Sequence, residues 1–199
     1  MKNNTTEDYD FLISQLNRII GFLDVSELEV FNKIKDHNKL GFSIKQLYEN
    51  SYEDYKNHIC SSALLLGFAH LEDFLVKRLA DYYIENPEKN ELKITYRMYL
   101  EKKDYIPEYL ANEYVRKLSF SEKLNKIKAI YPIDEKLIES IKFISEVRNC
   151  LMHNNGIANE RINSKYPIGK KIELDTGSVN QYGLIVREFA ESIKKSATN

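Results

Sequence analysis

Ala63-Leu64-Leu65-Leu66-Gly67-Phe68-Ala69-His70-Leu71-Glu72-Asp73-Phe74-Leu75-Val76 is apolar around most of a helix's girth rather than along one stripe. A helix of that kind lies inside a protein, covered on several sides by other elements. It is predicted to open at Ser51 and to run to about Asn86, where Pro87 stops it. One residue breaks the pattern. At about 100° per residue, Leu65, Phe68, Ala69, Leu75, Val76, Leu79 and Tyr83 all fall within roughly 60° of Glu72, so a carboxylate occupies the middle of an apolar stripe. Its neighbours His70 and Asp73 project toward a mixed polar side with Lys77 and Asp81.

The stretch 134–154 poses the same puzzle with the opposite sign. Asp134 is a candidate N-cap, Asn154-Asn155-Gly156 is a strong stop signal, and Leu137, Ile141, Ile144, Leu151 and Met152 lie within roughly 60° of Arg148. Removing one partner of a buried ion pair costs about 3 to 5 kcal/mol, so Glu72 and Arg148 are expected to meet each other or a ligand. A purely structural bridge and snorkelling of either side chain are the bland alternatives. His153 follows Arg148 by five residues, at the end of the same helix. A rigid helix separates the two by about 140° and about 7.5 Å of rise. Either the last turn unwinds or two chains each contribute to one site; a histidine there also suits the helix dipole alone.

The rest of the chain reads as helix with short breaks. Phe11, Leu12, Leu16, Ile19, Ile20, Leu23, Leu28, Phe31 and Ile34 recur at three- and four-residue steps across 7–35, with Gly21 and Asp24 as places where this helix kinks or splits. A turn is expected at 38–41. The periodicity weakens over 88–107, where Ile94, Tyr96, Met98 and Leu100 alternate briefly. Short helices are predicted at 107–117 and 120–130, the second capped by Ser119 or Ser121, followed by a turn-rich loop with 171–174 extended and a final helix from Ser178 to about Lys195. At 199 residues the chain suits one domain.

Lys plus Arg (29) nearly cancels Asp plus Glu (30), so no global field draws in a polyanion, and any nucleic-acid contact must be local. Two basic runs are candidates for contacting RNA: Arg116, Lys117, Lys123, Lys126 and Lys128, and then Arg161, Lys165, Lys170 and Lys171. Solvated helix faces carry the same composition. Only Cys60 and Cys150 are present, without zinc-like spacing, and Cys150 reads as a small packing residue. His37 and His58 stand alone and read as surface or helix-face residues. The N-terminus lacks the apolar core of a signal peptide, and the longest uninterrupted apolar run, 63–69, is short for a bilayer, so a cytoplasmic protein without membrane contact is expected. There is no P-loop, GxGxxG, HExxH or GxSxG pattern.

Arg148-Asn149, three residues, His153 and then Asn-Asn-Gly, after a long apolar helix carrying a lone acid, resembles the HEPN superfamily, whose signature is an arginine, a polar residue and, a few positions on, a histidine. The resemblance covers about 50–195. The resemblance implies an all-α, HEPN-like antiparallel helical bundle within a single domain over 1–199; it assigns neither the first helix, read from the residues as an N-terminal helical extension over 7–37, nor 88–115, read as an irregular insertion. It further implies a homodimer whose two Arg and His motifs face one cleft, which answers the spacing problem above. The implied activity is metal-independent endoribonuclease cleavage of the toxin–antitoxin or phage-defence type, with RNA as substrate, a cognate antitoxin or regulatory protein as partner, and neither cofactor nor metal. Chemically, His153 would act as acid or base, since an ordinary imidazole pKa of about 6.5 suits proton transfer near neutrality. Arg148 would stabilise the phosphorane by bidentate donation, Asn149 would orient backbone or phosphate, and Glu72 would hold the arginine. Two other classes compete: a non-catalytic HEPN module that uses the same motif to bind nucleotide, RNA or protein, and a structural dimerisation or immunity protein that uses the fourteen tyrosines and amphipathic helices as its interface.

Overall fold

The computed structural model describes residues 2–26, 42–89 and 106–198. Among them run six α-helices: α1 (Lys2–Val25), α2 (Phe42–Glu85), α3 (Ile106–Lys117), α4 (Phe120–Ile130), α5 (Glu135–His153) and α6 (Thr176–Thr198). The chain is all-α, and no β-strand occurs among the described residues, where a single antiparallel bridge joins Ile157 to Lys171. The predicted continuation of the first helix beyond residue 26, the turn at 38–41, His37 and the alternating stretch 94–100 lie outside the described residues.

The apolar girth of α2 finds the cover it demands, for α1, α3, α4, α5 and α6 all lie against it. Leu71, Phe74, Leu75 and Leu79 are buried on it and join Leu12, Leu23, Leu124, Ile127, Ile138, Ile141 and Phe189 in one continuous core. Each such side chain contributes about 1.5 to 3 kcal/mol on leaving water. The segment Lys56–Glu85 is long and apolar enough by composition to cross a membrane; other helices of the chain bury part of it, and Leu66 stays 51% exposed.

Local rules place the helix ends. Ser119 caps α4 in a reciprocal box, its hydroxyl accepting from the Glu122 N–H at 3.3 Å while Glu122 accepts the Ser119 N–H at 2.7 Å. The Ser119 hydroxyl also donates to the Glu122 carboxylate at 2.7 Å, and that bond, with the one from the Ser119 N–H, holds the Glu122 carboxyl below its usual range. Asp134 caps α5 by accepting the Lys136 N–H at 2.7 Å. At the other end Asn155 (φ 50°) and Gly156 (φ 73°) take left-handed conformations, and the Asn154 and Gly156 N–H groups both donate to the Cys150 carbonyl. The last helix begins at Thr176, slightly earlier than Ser178, because Asp175 accepts the Ser178 N–H at 2.7 Å and closes its first turn.

Two sequence assignments change in character. Residues 7–37 read as an extension, yet α1 runs antiparallel to both α2 and α6, with Leu12, Leu16 and Leu23 buried in the shared core and the ion pairs Asp8–Lys77 and Asp10–Lys194 along its length. Its first turns also meet Arg78, whose side chain is 2% exposed and whose guanidinium donates to Asp8, Thr5 and, at 2.9 Å, Asp81. Burial pushes the Asp81 carboxyl up against the pull of that guanidinium. Within the irregular insertion at 88–115, α3 is regular helix and buries Ala111, Tyr114 and Val115 against the core.

Candidate functional site

Arg148 lies five residues, about one and a half turns, before the end of α5, half-buried, with its guanidinium 5.5 Å from the centroid of the Phe68 ring on α2. Phe68 is itself buried and packed on Phe120 of α4, ring centroids 4.6 Å apart, so three helices define the platform. The hydrogen-bond partner of the guanidinium is its own neighbour, Asn149, whose Oδ1 accepts from Nη1 at 3.0 Å. Among the described residues no ion pair joins Arg148 to a carboxylate.

Glu72 does not fill that role. Its carboxylate, one turn beyond Phe68 on α2, accepts from Lys123 Nζ at 3.0 Å, and the Lys123 side chain is only 7% exposed. The expected Glu72–Arg148 pair is therefore replaced by Glu72–Lys123. The physical reason is the position of α4: Phe120, Leu124 and Ile127 turn inward and carry Lys123, within roughly 60° of Phe120 and Ile127, onto the same side of α2 as Glu72. The carboxylate expected to answer Arg148 is thus neutralised by a lysine, and among the described residues the half-buried guanidinium uses one of its five donors, toward Asn149.

His153 is exposed in the last turn of α5, and Asn149 is half-buried beside Arg148. The chain brings Arg148 and Asn149 together but places no contact between them and His153 among the described residues. The helix remains regular to His153, so the two groups keep the wide angular separation expected of rigid geometry.

The basic runs are largely engaged. Lys123 is buried against Glu72, Lys128 pairs with Glu135, and Arg161 pairs with Glu146 at 3.0 Å. Lys126 lies over the Tyr114 and Tyr83 rings, and its hydrogen bonds with the Tyr114 and Tyr83 hydroxyls push its pKa up. Lys165 lies over the Tyr166 and Tyr182 rings. Arg116, Lys117, Lys170 and Lys171 are exposed. Cys150 is 1% exposed, in keeping with a packing role. Among the described residues no group of three or more His, Cys, Asp or Glu side chains is placed to hold a metal ion.

Sequence reasoning missed Arg78, the deepest charge among the described residues. The signal was present: Leu71, Phe74 and Leu75 lie within roughly 60° of it, the same test that singled out Glu72. It assigned Lys123 to RNA contact rather than to Glu72, because a lysine in a basic run reads as solvated.

Comparison of the chain with protein-family models, with curated proteins and with solved structures finds no match.

Proposed function

We propose that this chain is a HEPN-type, metal-independent endoribonuclease of toxin–antitoxin or phage-defence type, acting on RNA through Arg148, Asn149 and His153. One observation carries the reading: Arg148 is half-buried on the Phe68 face with no carboxylate partner among the described residues, while Glu72, one turn along α2 from Phe68, is already paired to Lys123. An arginine so placed is held for an anion, and a planar fork of donors suits a phosphate. The Asn149 amide steers the fork from the side.

In the reaction His153 takes the proton of a ribose 2′-hydroxyl, whose oxygen attacks the adjacent phosphorus. Arg148 stabilises the charge that builds on the phosphorane oxygens. The bond from phosphorus to the 5′ oxygen then breaks, and that oxygen receives a proton from a second imidazole. The products carry 2′,3′-cyclic phosphate and 5′-hydroxyl ends. Because one helix separates His153 from Arg148 too widely for both to grip one phosphate, the reading assigns the two imidazoles to two copies of the chain facing one cleft.

The test is RNA cleavage in excess chelator by the wild type and by Arg148→Ala, Arg148→Lys and His153→Ala, with each variant's melting curve as a folding control. Each alanine variant is expected to lose about a hundredfold or more in rate, and lysine, a point donor, not to restore it. Undiminished cutting by folded alanine variants sinks the assignment. Loss of RNA binding at Arg148→Ala, with no cutting by any form, favours a non-catalytic binding module instead.

A further inference from the structure

An open groove of about 560 Å³ runs between α2, the end of α5 and the 155–172 loop, lined by Asn57, His58, Ser61, Ser62, Leu65, Leu151, Asn155, Gly156, Lys171 and Ile172. Its position follows from the candidate site. Leu65 precedes Phe68 by three residues on α2, and Leu151 follows Arg148 by three on α5. On each helix that is one turn, about 4.5 Å of rise and about 60° of rotation, so the seam that seats the arginine on Phe68 opens into the groove.

The lining has a chemical bias. Among the described residues that line the groove there is no Asp or Glu; they include one lysine, one histidine, two serines and two asparagines over an apolar Leu65–Leu151 floor. His58 and Lys171 are both exposed at its margin. The walls are built rather than incidental. The Asn57 amide donates to the Ile172 carbonyl at 3.2 Å and accepts the Leu174 N–H at 2.8 Å, so the loop is pinned to α2. Asn155 is held at φ 50° by the turn that ends α5, and the Arg161–Glu146 pair ties the same loop to that helix.

We propose that this groove is the subsite for the nucleotide next to the scissile phosphate: the Leu65–Leu151 floor takes the base, and Lys171 and His58 take the following phosphate. An apolar strip flanked by neutral hydrogen-bonding groups, with cationic groups only at the rim, matches one nucleoside monophosphate unit of a strand. The proposal rests on the ribonuclease reading for the identity of the strand, and its test separates the two.

A fluorescent RNA oligonucleotide made uncleavable by 2′-O-methyl groups is titrated into wild type, Lys171→Glu, His58→Ala and Lys195→Glu, with cleavage of the unmodified RNA followed in parallel. Lys171→Glu is expected to weaken binding about tenfold or more and to reduce the slope of log affinity against log salt by about 1. His58→Ala should weaken it less, and Lys195→Glu, at the far end of α6, should leave it unchanged. Groove variants that bind and cut like the wild type overturn the proposal even if Arg148 proves essential. Groove-dependent binding without any cutting upholds the subsite and removes the catalytic reading. A wild type that binds no oligonucleotide overturns the proposal. So do groove variants that alter only sedimentation, which would make the groove a contact between copies.

Discussion

Arg78 sits among Asp8, Asp81 and Thr5 with its charge answered, whereas Arg148, on an equally apolar helix face, rests on an aromatic ring with a single neighbourly hydrogen bond. The two arginines predict different mutational behaviour. Arg78→Ala leaves two carboxylates facing an emptied core and should cost about 3 to 5 kcal/mol in urea denaturation. Arg148→Ala removes a half-buried side chain without orphaning a carboxylate, so its effect should fall on RNA cleavage and little on stability. The Glu72–Lys123 pair gives a finer test. Lys123→Met releases a carboxylate one turn from the arginine's ring platform, where it competes with phosphate for the guanidinium. Cleavage should fall in that variant and recover in Glu72→Gln/Lys123→Met; equal losses in both would show that the pair acts through folding alone.

Along α2, Gly67 faces α1, and a Cβ built there would lie 3.5 Å from Leu16 Cδ2, ordinary contact distance. Gly67→Ala should therefore stabilise the protein, by up to about 1 kcal/mol from helix propensity, visible as a raised melting temperature. Gly183→Ala on α6 meets Ile20 Cδ1 at 3.3 Å, and the gain should shrink or vanish as that side chain yields. The start of α6 carries a pH signature. The Ser178 backbone N–H holds the Asp175 carboxyl below its ordinary range, so its folded pKa is lower than its unfolded one. The stabilisation it provides is present above the unfolded value, near 3.9, and is lost as pH falls through the folded value. Asp175→Asn should flatten that part of the stability curve below about pH 4, and Asp175→Ala should cost about 1 kcal/mol at neutral pH as well.

At the scale of the whole molecule, what the sequence made legible was local. The apolar girth of 63–76, the Ser119 and Asp134 caps and the Asn154-Asn155-Gly156 stop each follow from a few neighbouring residues, and each stands where expected. The side of α2 that each helix covers depends on packing between distant segments, and no periodicity encodes it. Hence Lys123 rather than Arg148 met Glu72, and α1 proved part of the core. For the same reason the groove was invisible: Asn57 bonds to Ile172 and Leu174, 115 and 117 residues away. That clasp also carries a timetable. Synthesis runs from the N-terminus, and domains assemble as the chain emerges, so α2 waits for a wall made 115 and more residues after Asn57. A ribosome-bound chain still short of residue 174 has its arginine but no finished groove beside it. If the chain cuts RNA as proposed, such a nascent chain would hold the arginine without the subsite that positions a strand.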